Sequence, residues 1–145
     1  MIILYNSLYF NNCLEIFKSN TPGFFDATEE SLFVNYLSSK NITYYALIKA
    51  KKLIGCGGYA YHNETNTVHL TWGMVLAQFH NMGFGTKLLI YRLAKIKRDF
   101  PTVDITLNTS QKTYQFYKKF NFELEKISPD FYAKGLDRYD MRFKC

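Results

Sequence analysis

The stretch His80-Asn81-Met82-Gly83-Phe84-Gly85-Thr86 lies between a β-patterned run, Val68 to Val75, and a helix-patterned run, Lys87 to Arg98. A strand, a glycine-punctuated turn and a helix in that order place unpartnered backbone N–H groups, and the positive end of the helix dipole, at one point. Such a point binds phosphate oxygens. Gly83 and Gly85 let the backbone approach an anion without Cβ obstruction, although a Gly-x-Gly before a helix also occurs where a turn merely needs a positive φ angle. Two commoner phosphate loops do not fit. A P-loop needs Gly-Lys-Ser/Thr after four residues, and a dinucleotide fold needs three glycines after the first strand of a parallel unit.

Outward from this turn, the chain reads as one domain over residues 1–145. With 48% hydrophobic residues there is material for a single core and too little length for two ordinary domains. Ile2 to Tyr5 reads as a first strand. Phe10, Cys13, Leu14 and Phe17 recur at helical spacing before Asn20-Thr21-Pro22-Gly23 breaks the helix. Asp26 and Thr28 offer capping oxygens to a second helix carrying Leu32, Phe33, Tyr36 and Leu37 on one face, with Glu29 and Glu30 complementing its dipole.

Tyr44 to Ile48, Leu53 to Tyr61 and Val68 to Val75 follow as three strands joined by hairpins, and Gly57-Gly58 marks a bulge, a close approach by another backbone or a plain sheet irregularity. Leu89, Leu93, Ile96 and Phe100 form the apolar stripe of a third helix that Pro101 ends. Val103 to Leu107, a fourth helix over Gln111 to Phe120, Phe122 to Ile127 and Arg138 to Phe143 complete the chain. The order is β-α-α-β-β-β-α-β-α-β-β. It predicts an α/β (α+β) fold with a mixed, mostly antiparallel sheet of about seven strands flanked by four helices.

Composition narrows the function classes. Eighteen Lys and Arg against 12 Asp and Glu give +6, scattered enough to read first as solvated surface and second as a preference for an anionic ligand. A basic nucleic-acid-binding domain is the weakest reading, since no recognition-helix, zinc or aromatic RNA-binding signature accompanies the charge. Cys13, Cys56 and Cys145 are odd in number and lack metal-ligand spacing, so free thiols in a reducing cytoplasm and no metal are expected. Met1 to Tyr5 is too short for a signal peptide, and no apolar run reaches the ~20 residues that cross a bilayer. A homodimer is left open.

The turn resembles that of the GNAT superfamily of acyl-CoA-dependent N-acyltransferases, whose loop reads Gln/Arg-x-x-Gly-x-Gly/Ala after a strand ending in Val. Here His80-x-x-Gly83-x-Gly85 follows Val75, and His80 departs from the usual residue in a cradle that works through backbone amides. A second family pattern, Asn-x-x-Ala-x-x-x-Tyr-x-x-x-Gly-Phe, is similar in spacing to Ser110-x-x-Thr113-x-x-x-Tyr117-x-x-x-Asn121-Phe122. Asn121 can take the left-handed conformation that glycine would supply after a helix, and Ser110 could donate a hydrogen bond to the cofactor's pantetheine arm.

The resemblance covers essentially the whole chain and implies acetyl-CoA as cosubstrate, with an amine-bearing acceptor. It implies cofactor contacts from Met74 and Val75 at the strand end, from His80 through Thr86, and from Asn108, Ser110, Thr113 and Tyr117. Tyr117 falls where the family places a general acid for the departing thiolate; its other reading is a core aromatic of the fourth helix. His69 falls six residues before the terminal Val, where some members carry a carboxylate base. An imidazole can take an amine proton near pH 7, while a lone strand histidine also serves in packing. A backbone N–H near Met74 or Val75 is expected to hold the oxyanion. Drift at His80, Ser110 and Thr113 keeps a second class open, a non-catalytic acyl-CoA sensor of the same fold.

Overall fold

The computed structural model describes residues 1–145. Its strands are β1 (Ile2–Leu4), β2 (Thr43–Lys49), β3 (Lys52–His62), β4 (Thr67–Val75), β5 (Asp104–Thr109), β6 (Glu123–Ala133) and β7 (Leu136–Phe143). The helices are α1 (Phe10–Ser19), α2 (Glu30–Leu37), α3 (Phe84–Asp99) and α4 (Tyr114–Lys118), and the expected element order holds. One sheet runs β1-β2-β3-β4-β5-β7-β6, antiparallel everywhere except between β4 and β5. Helical single turns at Ser7–Tyr9, Ala27–Glu29 and Ala77–Phe79 were not signalled by periodicity, which three residues are too few to show.

Local chemistry explains the joints. Ala50 and Lys51 both take positive φ, closing β2 onto β3 in a two-residue turn whose twist matches the strands without any glycine. Asp26 accepts the Thr28 N–H at 3.0 Å while the Glu29 carboxylate accepts the Asp26 N–H at 2.9 Å, a capping box that launches α2. Gly58 is a close approach between strands: a Cβ there would stand 2.1 Å from the Thr43 carbonyl oxygen. Pro129 lies inside β6, which the sheet tolerates because β6 is an edge strand. That strand continues to Ala133, well beyond the expected Ile127, whereas α4 is shorter than expected.

The sheet carries a core on each face. Phe17 of α1 and Phe33 of α2 join Tyr44, Ile54 and Met74 of the sheet in one core, and Leu89 and Ile96 of α3 join Val68, Leu70 and Phe122 in the other. Simple alternation along β4 predicts Val68, Leu70, Trp72 and Met74 on one face, and here the structure differs. Cys56 pairs with Met74 but Gly58 with Thr71, so Gly57 opposes two residues, Trp72 and Gly73. This β-bulge, with Trp72 at φ +42°, switches the faces, so that Val68 and Leu70 join one core while Trp72 and Met74 join the other. The Tyr44 hydroxyl donates to the Trp72 carbonyl at 2.7 Å and pins the bulge.

The parallel pairing of β4 with β5 stops early. It runs from Thr67 with Asp104 to His69 with Thr106, after which β4 continues alone to Val75 while β5 stays with β7. The sheet therefore opens into a cleft on one side of β4, and the turn after β4 stands at its mouth.

Candidate functional site

Gly83 caps α3 in the left-handed region, φ +85°, with no side chain accepting from the helix N-terminus. The first helical bond is Lys87 N–H to Gly83 O at 3.0 Å, which leaves the N–H groups of Phe84, Gly85 and Thr86 ahead of it free for a ligand. A Cβ at Gly83 would meet nothing within 4 Å, and Asn81 also has positive φ, 61°. These features suit a phosphate-bearing ligand. Asn81 and Met82 are exposed around the turn. The His80 ring turns inward: its Nε2 lies 2.8 Å from the Val75 carbonyl oxygen, and Phe24 meets it edge-on at 5.2 Å. His80 thus ties the turn to the strand end.

Val75 is itself held from a second side. The Asn20 amide, buried, donates to Val75 O at 2.9 Å and to Ile16 O at 2.8 Å, joining α1 to the end of β4. Leu76 N–H donates to Ile54 O across β3, so by the alternation of antiparallel pairs the N–H and C=O of Val75 point away from β3, toward the open side. By the same parity Met74 directs its backbone at Cys56. Of the two expected oxyanion donors, Val75 is the one that faces the cleft.

The second motif lies opposite. A Cβ on Gly85 would be 3.7 Å from Phe116, so the start of α3 and the body of α4 adjoin. Tyr117 packs its ring on Phe116 and Phe122, at 5.1 and 6.1 Å between centroids, and its hydroxyl has no protein partner. Both readings of Tyr117 therefore survive, because the ring is core and the oxygen is free. Ser110 is buried, and its Oγ accepts the Lys112 N–H at 3.2 Å while keeping its own proton to give. Thr113 pairs its hydroxyl with that of Thr109, and Asn108 is exposed near the end of β5. Asn121 takes φ +68°, the left-handed conformation expected of it.

His69 sits at the last rung before the sheet opens, its Nδ1 2.8 Å from Thr106 Oγ1. Burial, aided by the positive potentials of His62 and Arg138 and opposed by Asp140, lowers its pKa from 6.5 to about 4. The ring is neutral at pH 7, as a base must be, yet its conjugate acid is too strong for it to hold a proton firmly. Further polar groups gather where β6 comes near the start of α2. Burial lifts the Tyr132 phenol to about 12, against Arg138 and with Glu29 and Asp140 adding to the rise. Burial likewise raises the Glu29 carboxyl, although the Asp26 N–H opposes the shift. Lys112 donates through Nζ to Gly23 O, linking the loop before α2 to the loop before α4.

Three site features escape the sequence reading. Asn20 looked like a helix breaker and is a strand-end anchor. The irregularity expected at Gly57-Gly58 is there, but that the extra residue falls at Trp72 on β4 has no local signature. Arg92, 3% exposed, belongs to the buried face of α3 with Leu88, Leu89 and Ile96, and its spacing of three and four residues from these was the available signal. No group of three or more His, Cys, Asp and Glu side chains is placed to hold a metal ion. No helix is long and apolar enough to cross a membrane.

Comparison with known proteins agrees with this geometry. A family model described as an acetyltransferase (GNAT) domain matches residues 20–145. An N-alpha-acetyltransferase of Sulfolobus acidocaldarius is 34% identical over 76 residues, which span 50% of this chain and 45% of that relative. Among solved structures, the ribosomal-protein-S18-alanine N-acetyltransferase of Escherichia coli superposes with a TM-score of 0.81 at 13% identity, covering 99% of this chain and 92% of that one. Ard1 of Thermoplasma volcanium gives 0.78 at 16% identity, covering 99% and 95%. An aminoglycoside 6'-N-acetyltransferase complexed with coenzyme A gives 0.77 at 14%, covering 99% and 96%. The fold is shared across these proteins, and with the family model spanning most of its length the chain belongs to the GNAT acetyltransferase family.

Proposed function

We propose that this protein is an N-acyltransferase that moves an acetyl or other short acyl group from a CoA thioester to a primary amine by direct attack. The observation that carries the reading is the uncapped start of α3 at left-handed Gly83, set at the mouth of the cleft between β4 and β5. The free N–H groups there suit a pyrophosphate, and the cleft suits the extended arm that follows it. The likeness to a coenzyme A complex supports the same assignment.

In this reading the Val75 N–H, turned to the open side, steadies the carbonyl oxygen as charge gathers on it. Asn20 and His80 hold Val75 in place through its carbonyl. Tyr117, whose hydroxyl has no protein partner, gives its proton to the departing thiolate. His69 accepts a hydrogen bond from the amine or a water through its unpartnered Nε2 and passes the proton on, since a ring titrating at about 4 does not retain it. Glu29 supplies the carboxylate on the acceptor side, Asp140 is paired with Arg138, and Tyr132 stays a neutral hydroxyl able to donate to the acceptor. The acceptor is a small-molecule amine or a protein amino terminus, the same division that the names of the similar proteins show.

Thiol-release kinetics with acetyl-CoA over a panel of amines, with Tyr117→Phe and His69→Ala alongside, tests the reading. We expect turnover on at least one amine and a loss of about 10- to 100-fold in kcat for Tyr117→Phe. Saturable acetyl-CoA binding with no thiol release on any amine would favour a sensor instead. Undiminished rates in both variants would defeat the assigned roles.

A further inference from the structure

Arg92 extends from α3 onto the sheet and is 3% exposed. Two glycines make room for it. A Cβ on Gly57 would stand 3.0 Å from its Cζ, and one on Gly73 would stand 2.7 Å from its Nη2. Its Nη1 donates to Gly58 O at 3.2 Å. The ion pairs of the protein join Arg98 to Asp99, Arg138 to Asp140, and Arg142 to Asp104 and Glu125, so no carboxylate neutralises Arg92. Its Nε is sealed from solvent with no partner, whereas Nη2 has no partner yet is not sealed. Nη2 is therefore the nitrogen that an incoming anion can reach, through a charge-assisted hydrogen bond. A buried cation without a counter-charge is costly to fold around, and an anionic ligand group removes that cost.

Its position says which end of a ligand it would meet. The guanidinium crosses from β3, where Gly57 lies nearest Cζ and Nη1, to β4, where Gly73 lies nearest Nη2, and so leads toward the margin of β4 that β5 has left. Gly73 directly precedes Met74 and Val75, where the acyl carbonyl is placed. Arg92 lies nine residues beyond Gly83, about 13 Å along the helix axis, which sets it far from the phosphate turn.

We propose that Arg92 receives a carboxylate at the distal end of the acyl group, making the site selective for thioesters of dicarboxylic acids, of the malonyl or succinyl type. This inference rests on the acyl-CoA reading given above. In the transfer, the amine nitrogen bonds to the thioester carbonyl carbon as the carbon–sulfur bond breaks. The amine proton ends on the CoA sulfur, and the distal carboxylate passes unchanged into the amide product.

Calorimetric titration of the intact protein with CoA, butyryl-CoA, malonyl-CoA and succinyl-CoA tests this without knowledge of the acceptor. The expected result is a Kd for malonyl- or succinyl-CoA that is roughly 10- to 100-fold below that for neutral butyryl-CoA. In Arg92→Met that ratio collapses toward one, and in Arg92→Lys it is intermediate. Should Arg92→Met fail to fold, the wild-type ratio and the Lys variant still decide. Equal affinity of the wild type for neutral and carboxylated thioesters, or an equal loss for all ligands in the variants, overturns the inference while leaving CoA binding intact. Failure of CoA itself to bind overturns the acyl-CoA reading, and this inference with it.

Discussion

Lowering the pH should destabilise this protein through His69 in a calculable way. The ring titrates at about 4 in the folded chain, first because it is buried and then because His62 and Arg138 add positive potential, against an ordinary value of 6.5. Above pH 6.5 the ring is neutral in both folded and unfolded states and contributes no pH dependence. As the pH falls from 6.5 toward 4, the unfolded chain takes up a proton that the folded ring refuses, so stability is lost across that window. The interval from 6.5 to about 4, at ~1.4 kcal/mol per pH unit, sets the full loss at about 3 kcal/mol. Urea unfolding at pH 7.5, 6.5, 5.5 and 4.5 should therefore show a wild-type curve steeper than that of His69→Gln. Carboxylate contributions, including those of Asp26 and Asp104, are common to both proteins and cancel in the difference. Parallel pH profiles for the two proteins would refute the claim that His69 is buried neutral.

Other perturbations test other parts of the fold. Gly58→Ala should cost about 3 kcal/mol or more, read as a drop in the urea midpoint, because the new Cβ would be driven onto the Thr43 carbonyl oxygen. Asn20→Ala should cost about 1–3 kcal/mol by leaving Ile16 O without this donor and Val75 O with His80 alone. Because Asn20 holds Val75, the variant should also lower kcat more than it raises KM. Tyr44→Phe frees the Trp72 carbonyl and should lower the melting temperature by a few degrees, at a cost of about 1 kcal/mol.

What the residues disclosed and what they withheld follow from range. The order of elements and the turn at Gly83 were legible because each rests on local chemistry: apolar periodicity, caps, and a glycine where φ must be +85°. Asn121 in the left-handed region was legible for the same reason. The face switch in β4 was not, because the bulge at Trp72 depends on Gly57 in the neighbouring strand and on a hydroxyl from Tyr44. Asn20 likewise acquires its role from Val75, 55 residues away. Cys13 and Cys56, distant in the chain, meet in one core, where their contact and burial raise the Cys13 thiol. His69 could be placed on its strand, but the depth of its burial depends on β5 and β7 arriving beside it.

The central claim, that the turn from Asn81 to Thr86 grips the phosphates of CoA, is tested most directly by calorimetric titration of CoA into the wild type and Gly83→Val. A Cβ at Gly83 meets no neighbour, so the variant should stay folded while valine, which disfavours φ +85°, reorients the amides. The account predicts one saturable CoA site in the wild type and a loss of at least about tenfold in affinity in the variant. No CoA binding to the wild type, or equal affinity in both proteins, would contradict it.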